Sequence, residues 1–506
     1  MNITVTNGNI ADQSASAIVV NHFEGLQNPA GATLAMDAKL GGAIRALIVS
    51  GDFKGKLGET AVLYPHENAL TTRVIIVGLG KSAEFSVDHA RQAAGAAAAK
   101  VATLGCRTIA TVVHGAGGGL EAKAAARAVA EGTELGAYQF TEYKSKAELA
   151  LLESATLVEM DEAKIADMEA GARQGQAVGE CANFARDLVN QPPNVCTPSY
   201  LAAKAEQLAA AFGLKSKTID LAEMRELGMG ALLGVAQGSS EPPKFIVLEY
   251  WPGSTAITNR APVILVGKGV TFDTGGYSIK TAADMPEMKS DMGGAAAVLG
   301  AVRAAAMLNL PTPMVGLVPV SENMISGGSY RPADVLTALN GKTIEVTNTD
   351  AEGRLLLADA LAYARRYTPD AVIDMATLTG AAMIALGRGG AAALFTEQES
   401  LSQRILAAGA ASGERVWPLP LYPDYLEWMK SDVADIKNSA GDRYAGTGAS
   451  AAFLKEFADG YPWAHIDIAP MAFAAKGQAV KPYGPAGATG FGVRLMAALL
   501  ENWQGD

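Results

Sequence analysis

The chain is poor in cysteine, in positive charge and, over its second half, in histidine. Its three cysteines, Cys106, Cys181 and Cys196, share no paired spacing. That excludes a disulfide framework and a cysteine-type zinc site, and it predicts a reducing, cytoplasmic home. Lysine and arginine together number 41 against 52 aspartates and glutamates, a net charge of −11. Such a balance argues against a general nucleic-acid binder, although a local basic patch is compatible with it. The opening residues, MNITVTNGNIADQ, lack a basic stretch followed by an apolar run, so no secretory signal is expected. No run of about 18 apolar residues predicts a membrane span. Aromatic residues are only 6%, yet apolar residues reach 49% of 506. A large, mainly aliphatic core is therefore available, and disorder is not expected.

That length suffices for two or three domains. Over residues 1–160, short apolar runs alternate with alanine-rich stretches. Ala17-Ile18-Val19-Val20, Val74-Ile75-Ile76-Val77 and Ile109-Ala110-Thr111-Val112-Val113 read as buried strands. Stretches 88–104 and 121–137 read as helices, and the pattern is that of a small α/β domain. Two glycine-rich segments follow strands. Gly78-Leu79-Gly80-Lys81-Ser82 lacks the glycine that a phosphate loop needs at position 75, where Ile75 stands. His114-Gly115-Ala116-Gly117-Gly118-Gly119 has Leu120 at the third fingerprint position and reads as a tight strand-to-helix turn. Four of the five histidines, His22, His66, His89 and His114, lie in this half without ligand spacing.

Residues 161–190 read as a connecting helix that ends at Asn190-Gln191-Pro192-Pro193, where paired prolines stop it. The alternation then resumes over 191–506. Helix 199–211, strands at 244–249 and 263–266, helix 294–307, a strand at 314–320, helix 355–367 and Ala371-Val372-Ile373 follow in turn. The expected architecture is a larger α/β domain with a mixed, largely parallel sheet covered by helices. Ligands in such sheets bind at the carboxyl ends of the strands. The stretch 434–450 is rich in Gly, Ala, Ser and Asn and reads as a surface loop.

Two acidic segments fall where that rule places ligands. In Asn348-Thr349-Asp350-Ala351-Glu352-Gly353-Arg354-Leu355, two carboxylates and a guanidinium stand at i, i+2 and i+4. On an extended backbone all three would point to one face. The strand 263–266 runs into GKGVTFDTGGYSIK (residues 267–280), followed by MKSDMGG (288–294). Together the segments supply Asp273, Asp291, Asp350 and Glu352. Two divalent cations would cancel those four charges, and carboxylate oxygens are suited to hold them. His465 is the one histidine of this half, so a metal site here must be built mainly from carboxylates.

These blocks resemble the leucyl aminopeptidase family of dinuclear metallo-exopeptidases. The likeness rests on GKGVTFDTGGYSIK, MKSDMGGAAAV and NTDAEGRL. It extends to NQPPNVCTP (190–198), Glu322-Asn323-Met324, Arg331-Pro332, Ala376-Thr377-Leu378-Thr379-Gly380, Asp432-Val433-Ala434-Asp435 and His465-Ile466-Asp467-Ile468-Ala469, and so covers about residues 180–495. The resemblance implies release of N-terminal amino acids, leucine and other apolar residues, from peptides. It implies that Lys268, Asp273, Asp291 and Glu352 hold a tight metal, and that Asp273, Asp350 and Glu352 hold an exchangeable one. Zinc, manganese or magnesium would serve. Lys280 and Arg354 would be the catalytic pair, with bicarbonate on Arg354 as proton shuttle. Met288, Thr377, Gly380, Ala469 and Ala472 would line the side-chain pocket, and the assembly would be a homohexamer. Ile325, Thr281 and Pro470 depart from the family pattern, and only Pro470 lies beside the expected pocket. Asp467 reads as structural.

Chemistry supports the roles independently. A lysine ligates a metal only when neutral, far from its reference pKa of about 10.4. Two metals roughly 3.5–4 Å apart lower the pKa of a shared water. Two other readings make distinct predictions. Phosphoryl transfer needs a phosphate-cradling loop near the acids, and the sequence offers none. A DNA-binding scaffold needs salt-sensitive affinity, which the acidic charge opposes.

Overall fold

The computed structural model describes residues 1–65, 71–145, 151–253, 260–441, 444–474, 481–484 and 486–504. His66 lies outside them. The chain forms two compact units, Met1–Asn183 with Ala479–Pro485, and Phe184–Gln478 with Ala486–Asp506.

The first unit is built on a six-stranded sheet. Its order is Asn2–Asn7, Ser154–Glu159, Thr108–Val112, Ala17–His22, Val74–Gly78, Thr60–Leu63. All pairs are parallel except the last. Successive side chains leave a strand on opposite faces, and here both faces are covered. Ile18, Val20, Val74 and Ile76 pack with Met36, Ile44 and Ile48 of the helices Gly31–Lys39 and Ala43–Ser50. Ala17, Val19, Ile75 and Val77 pack with Ala93, Ala97 and Val101 of the helix Val87–Thr103. That is why these strands read as unbroken apolar runs rather than as alternation. The glycine-rich segment after Thr108–Val112 is a turn leading to the helix Ala122–Gly136, as read from the sequence. The expected long helix runs over Ile165–Asn190.

The second unit carries a mixed sheet. Its order is Val416–Pro418, Ala392–Phe395, Trp463–Asp467, Ala371–Ala376, Val263–Gly267, Met314–Asn323, Lys244–Tyr250, Lys215–Ile219, and Gly269–Asp273 also pairs with Met314–Asn323. Five neighbours in its middle, Trp463–Asp467, Ala371–Ala376, Val263–Gly267, Met314–Asn323 and Gly269–Asp273, run parallel. Their carboxyl ends therefore share one edge. Ile264, Val266, Val315 and Leu317 pack with Leu355, Leu357, Leu361 and other residues of the helix Gly353–Ala364. The opposite face meets the helix Gly293–Leu308. An added Cβ at Gly316 would touch Val298 and Val302 of that helix at 2.9 and 3.1 Å. The helical stretch Met285–Leu308 is long and apolar enough to cross a membrane by length and composition, although no run of that kind was expected. Inside the protein, 78% of its apolar window is buried, so it serves as a core helix.

The described residues of the stretch 434–450 are more regular than the expected surface loop. Ile436–Lys437 pairs in parallel with Thr343–Glu345, and Gly446–Lys455 is a helix. Asn438 is fully buried. Small polar residues signalled turns, but here they let a segment pack close to the site.

Candidate active site

Lys268 follows the end of the strand Val263–Gly267, and its backbone N–H donates to the Met375 carbonyl at 3.1 Å. Its buried ammonium donates to Asp291 Oδ1 at 2.7 Å and to the Thr377 carbonyl at 3.0 Å, and lies 2.9 Å from Glu352 Oε1. The lysine reaches Glu352 by passing over the first residue of the helix Gly353–Ala364. A Cβ on Gly353 would stand 2.7 Å from both Lys268 Cδ and Nζ. Glycine at this helix start leaves the room that the outer end of the lysine occupies.

Asp273 ends the strand Gly269–Asp273, which is bulged between Val270 and Asp273. Bulges of this kind re-aim a strand's last side chains. Its Oδ1 accepts from the Gly275 N–H at 2.8 Å and from Asn323 Nδ2 at 2.7 Å, and its Oδ2 pairs with Lys280 Nζ at 2.8 Å. Lys280 also donates to Asp350 Oδ1. Gly275, at φ +84°, adopts a backbone that L side chains avoid. A Cβ there would meet Asp350 Oδ1 at 2.8 Å.

The chain from Asn348 to Arg354 is not extended. Thr349 and Asp350 lie in a turn, and Glu352 has helical angles (φ −73°, ψ −38°) before Gly353 opens the helix. The extended backbone expected for this segment is therefore replaced by a turn and a helix start. Asp350 and Glu352 converge because the chain turns between them. Asp273, Asp350 and Glu352 each place a carboxylate oxygen within 4.8 Å of the others. Asp291 completes the acidic set from beyond Lys268. Arg354 is buried inside the helix start, with Nη1 donating to the Asn438 carbonyl at 2.6 Å.

Charge decides what the site can hold. Four carboxylates face two ammoniums. Burial, then the negative neighbours Asp273 and Glu352, push the Asp350 carboxyl up to about 6. Burial raises Asp273 and Asp291 as well. Burial opposes ionisation of Glu352 too, but Lys268 and Lys280 outweigh it and hold that carboxyl down at about 2. The same carboxylates raise both lysines above their ordinary range, against the effect of burial. Among these acids Lys268 is therefore an ammonium, whereas a metal ligand must be neutral. Burial brings Arg354 down to about 10, which leaves it cationic at neutral pH. Asp291 Oδ2 is buried without a hydrogen-bond partner among the described residues. An excess of buried carboxylate oxygen with an orphaned ligand atom fits divalent cations.

Of the residues expected to line a pocket, Thr377 and Ala472 come together around Gly293. A Cβ there would meet them at 3.4 and 3.2 Å. Met288 and Ala469 are half-buried, and Gly380 is exposed. Sequence reasoning gave no site role to Asn323, Tyr330 or Asn438. Asn323 Nδ2 and the Tyr330 hydroxyl both donate to the Thr349 carbonyl, at 3.0 and 2.7 Å. Asn438 Oδ1 accepts from the N–H groups of Thr347 and Asn348 at 2.8 and 3.2 Å. These neutral residues hold the acidic turn, and no charge pattern announces them. His465 stands apart from the acids, paired with Asp374 through Nδ1 at 2.5 Å.

Residues 183–497 match the model of the cytosol aminopeptidase family's catalytic domain, and residues 19–147 match that of its N-terminal domain. A probable cytosol aminopeptidase of Geobacter sp. (strain M21) is 44% identical over 99% of each chain. One from Roseiflexus castenholzii is 43% identical over 99% of each. Among solved structures, a mutant tomato leucine aminopeptidase superposes with a TM-score of 0.89 at 33% identity, covering 99% of this chain and 96% of its own. The bottromycin maturation enzyme BotP, in complex with Mn, does so with a TM-score of 0.84 at 36% identity, covering 96% and 99%. A carboxylate cluster suited to divalent metal, at the carboxyl edge of the sheet and within the stretch that the catalytic-domain model matches, leaves one assignment: the chain belongs to the cytosol aminopeptidase family and is a metal-dependent aminopeptidase.

Proposed function

We propose that Asp273, Asp350 and Glu352 hold one divalent cation, and that Lys268 and Asp291 join Asp273 and Glu352 around a second. The observation that carries this reading is the convergence of Asp273, Asp350 and Glu352 with Lys268 spanning Glu352 and Asp291. Manganese or zinc suits a set of carboxylate oxygens and one amine, and magnesium suits the carboxylates. When bound, such a pair supplies Lewis acidity and a water acidic enough to attack a peptide carbonyl near neutral pH.

The chain's own groups do the rest. Lys280 is cationic, tied to Asp273 and Asp350, and only partly buried. It orients the scissile carbonyl and stabilises the oxygen as negative charge develops. Arg354 is anchored through Nη1, while its buried Nε has no hydrogen-bond partner among the described residues. A guanidinium so placed offers N–H donors to a small planar anion, and bicarbonate is the anion we assign, accepting and returning a proton. The free α-amine of the substrate would face the same acidic cluster, which limits cleavage to the first residue. Met288, Thr377, Gly380, Ala469 and Ala472 would line an apolar pocket for its side chain, suited to leucine and similar residues. We further propose a homohexamer working in the cytoplasm, with an N-terminal domain over 1–160, a connecting helix over 161–190 and a catalytic domain over 191–506.

The test uses chelated and metal-restored protein on a peptide with a free amino terminus and on its N-acetylated form. Release of the first residue should vanish with chelator and return with manganese or zinc. Equal cleavage of the acetylated peptide would refute the reading. Lys280→Ala should keep its metal and lose turnover, and loss of metal in Lys280→Ala with retention in Lys268→Ala would reverse the two roles.

A further inference from the structure

One peptide group beside the site is held from both ends. The strands Ala371–Ala376 and Trp463–Asp467 run parallel, with Ala376 opposite Asp467. Just beyond, the peptide joining Thr377 to Leu378 presents its carbonyl to the Lys268 ammonium at 3.0 Å. The N–H of that same peptide donates to Asp467 Oδ1 at 3.2 Å. Asp467 is fully buried, and its carboxylate is fixed in turn. Oδ1 also accepts from the Ala469 N–H at 3.1 Å, and Oδ2 accepts from the Thr379 hydroxyl at 2.6 Å. Thr379 Oγ1 caps the helix Gly380–Leu386 by accepting from the Ala382 N–H, and it contacts the Thr447 hydroxyl. The Thr377 hydroxyl completes the arrangement by donating to Asp291 Oδ1 at 2.8 Å. Residue 377 thus touches both Lys268 and Asp291.

We propose that Asp467 is a positioning residue for Lys268, acting through the Thr377–Leu378 peptide. The proposal rests on the reading of Lys268 as a metal ligand. A lysine nitrogen that donates its lone pair to a metal keeps two N–H bonds. A fixed acceptor for one of them determines where the lone pair points, as outer-shell acceptors do for ligating histidines. An anionic carboxylate on the peptide N–H polarises the group and strengthens its carbonyl as that acceptor. It also stops the peptide from rotating away.

The test measures manganese affinity at each of the two sites by calorimetry, with elemental analysis after dialysis and thermal melting as a check on folding. The variants are Lys268→Ala, Asp467→Asn and both together. Asp467→Asn is close in shape and removes the charge. It should weaken one site by about 10–100-fold, the range for outer-shell changes, and leave the other unchanged. In the double variant the Asp467→Asn effect should disappear, because its target is gone. Wild-type affinity at both sites in folded Asp467→Asn, equal weakening of both sites, or losses that multiply in the double variant would each overturn the inference. If Lys268→Ala alone binds both ions normally, the ligand reading itself fails, and that is seen without any Asp467 variant. Should Asp467→Asn not fold, Thr379→Val frees Oδ2 and carries the same test. A smaller, site-selective weakening supports the proposal, and none overturns it.

Discussion

Replacing Lys268 with methionine should make the metal-free protein much less stable at alkaline pH and should do so far less at acid pH. Methionine keeps most of the volume that runs past Gly353 and removes only the charge. The lysine lies 2.7 Å from Asp291 Oδ1 and 2.9 Å from Glu352 Oε1, and all three side chains are at least nine-tenths buried. Removing one partner of a buried ion pair costs about 3–5 kcal/mol, because the survivors are left charged and dry. Here two carboxylates are stranded, so the upper part of that range applies at pH 8. Burial already raises the Asp291 carboxyl well above its ordinary range, and without Lys268 it rises further. A carboxyl that holds its proton in the folded state and not in the unfolded state favours folding as pH falls. The deficit should therefore shrink toward pH 5.5.

Chelator-dialysed wild type and Lys268→Met would be compared by denaturant unfolding at both pH values, with and without manganese. A divalent cation supplies the charge that the variant lacks. Manganese should then raise the variant's stability at pH 8 more than that of the wild type. Equal stability of the two metal-free proteins at pH 8 would show that Lys268 does not balance these acids. A deficit independent of pH would assign the loss to packing rather than charge.

Arg354→Ala should retain both metals and lose on the order of 10²–10³ in turnover, with bicarbonate stimulating the wild type more than the variant; metal content by elemental analysis and steady-state rates decide it. Gly353→Ala should bind manganese more weakly, because the new Cβ falls 2.7 Å from Lys268 Nζ; unchanged calorimetric affinity would show that Lys268 is free to move. Asp359 is fully buried and accepts from the N–H groups of Leu232 and Leu339, and burial pushes its carboxyl up to about 7. Since it holds its proton to a higher pH folded than unfolded, it should cost stability as pH rises from about 4 to 7, and Asp359→Asn should flatten that slope in melting curves.

Much of the site was legible because ionisable residues are scarce in buried segments and therefore conspicuous. Asp273 and Lys268 could be placed at strand ends because Val263–Gly267 is an unbroken apolar run followed by glycine. The conformation of 348–354 was not legible. Strand-like residues at 343–347 suggested continuation, but only Thr343–Glu345 pairs as a strand. The turn that follows is fixed by partners distant in sequence, namely Asn323, Tyr330 and Asn438. Their hydrogen bonds go to backbone groups, and a backbone group leaves no trace in a sequence pattern. Asn438 was obscured further, because Gly, Ala, Ser and Asn serve surface turns and close packing equally well.

Parallel pairing explains why residues so far apart in sequence meet. Lys268, Asp273, Asn323, Thr377 and Asp467 each lie at, or within a residue or so of, the carboxyl end of a strand, and those five strands run the same way. Sequence separations of nearly 200 residues collapse onto one sheet edge. The acids could not gather there unaided, since like charges in a dry site raise one another's pKa values. The ammoniums of Lys268 and Lys280 supply part of the opposing charge. Burial, and then the negative neighbours, keep the Asp273, Asp291 and Asp350 carboxyls raised against those two ammoniums. The fold therefore maintains a deficit of positive charge in a fixed frame of hydrogen bonds. The frame is set by hydrogen bonds among backbone, neutral side chains and the fixed carboxylates of Asp273 and Asp467, so filling the deficit with cations need not rebuild it. This predicts that metal-free and manganese-loaded protein differ little in protection of the amides of Gly275, Ser278 and Leu378, whose hydrogen bonds to Asp273, Thr349 and Asp467 make up that frame. Hydrogen exchange read by mass spectrometry checks it. Large deprotection of these amides on chelation would mean that the metals build the site rather than fill it.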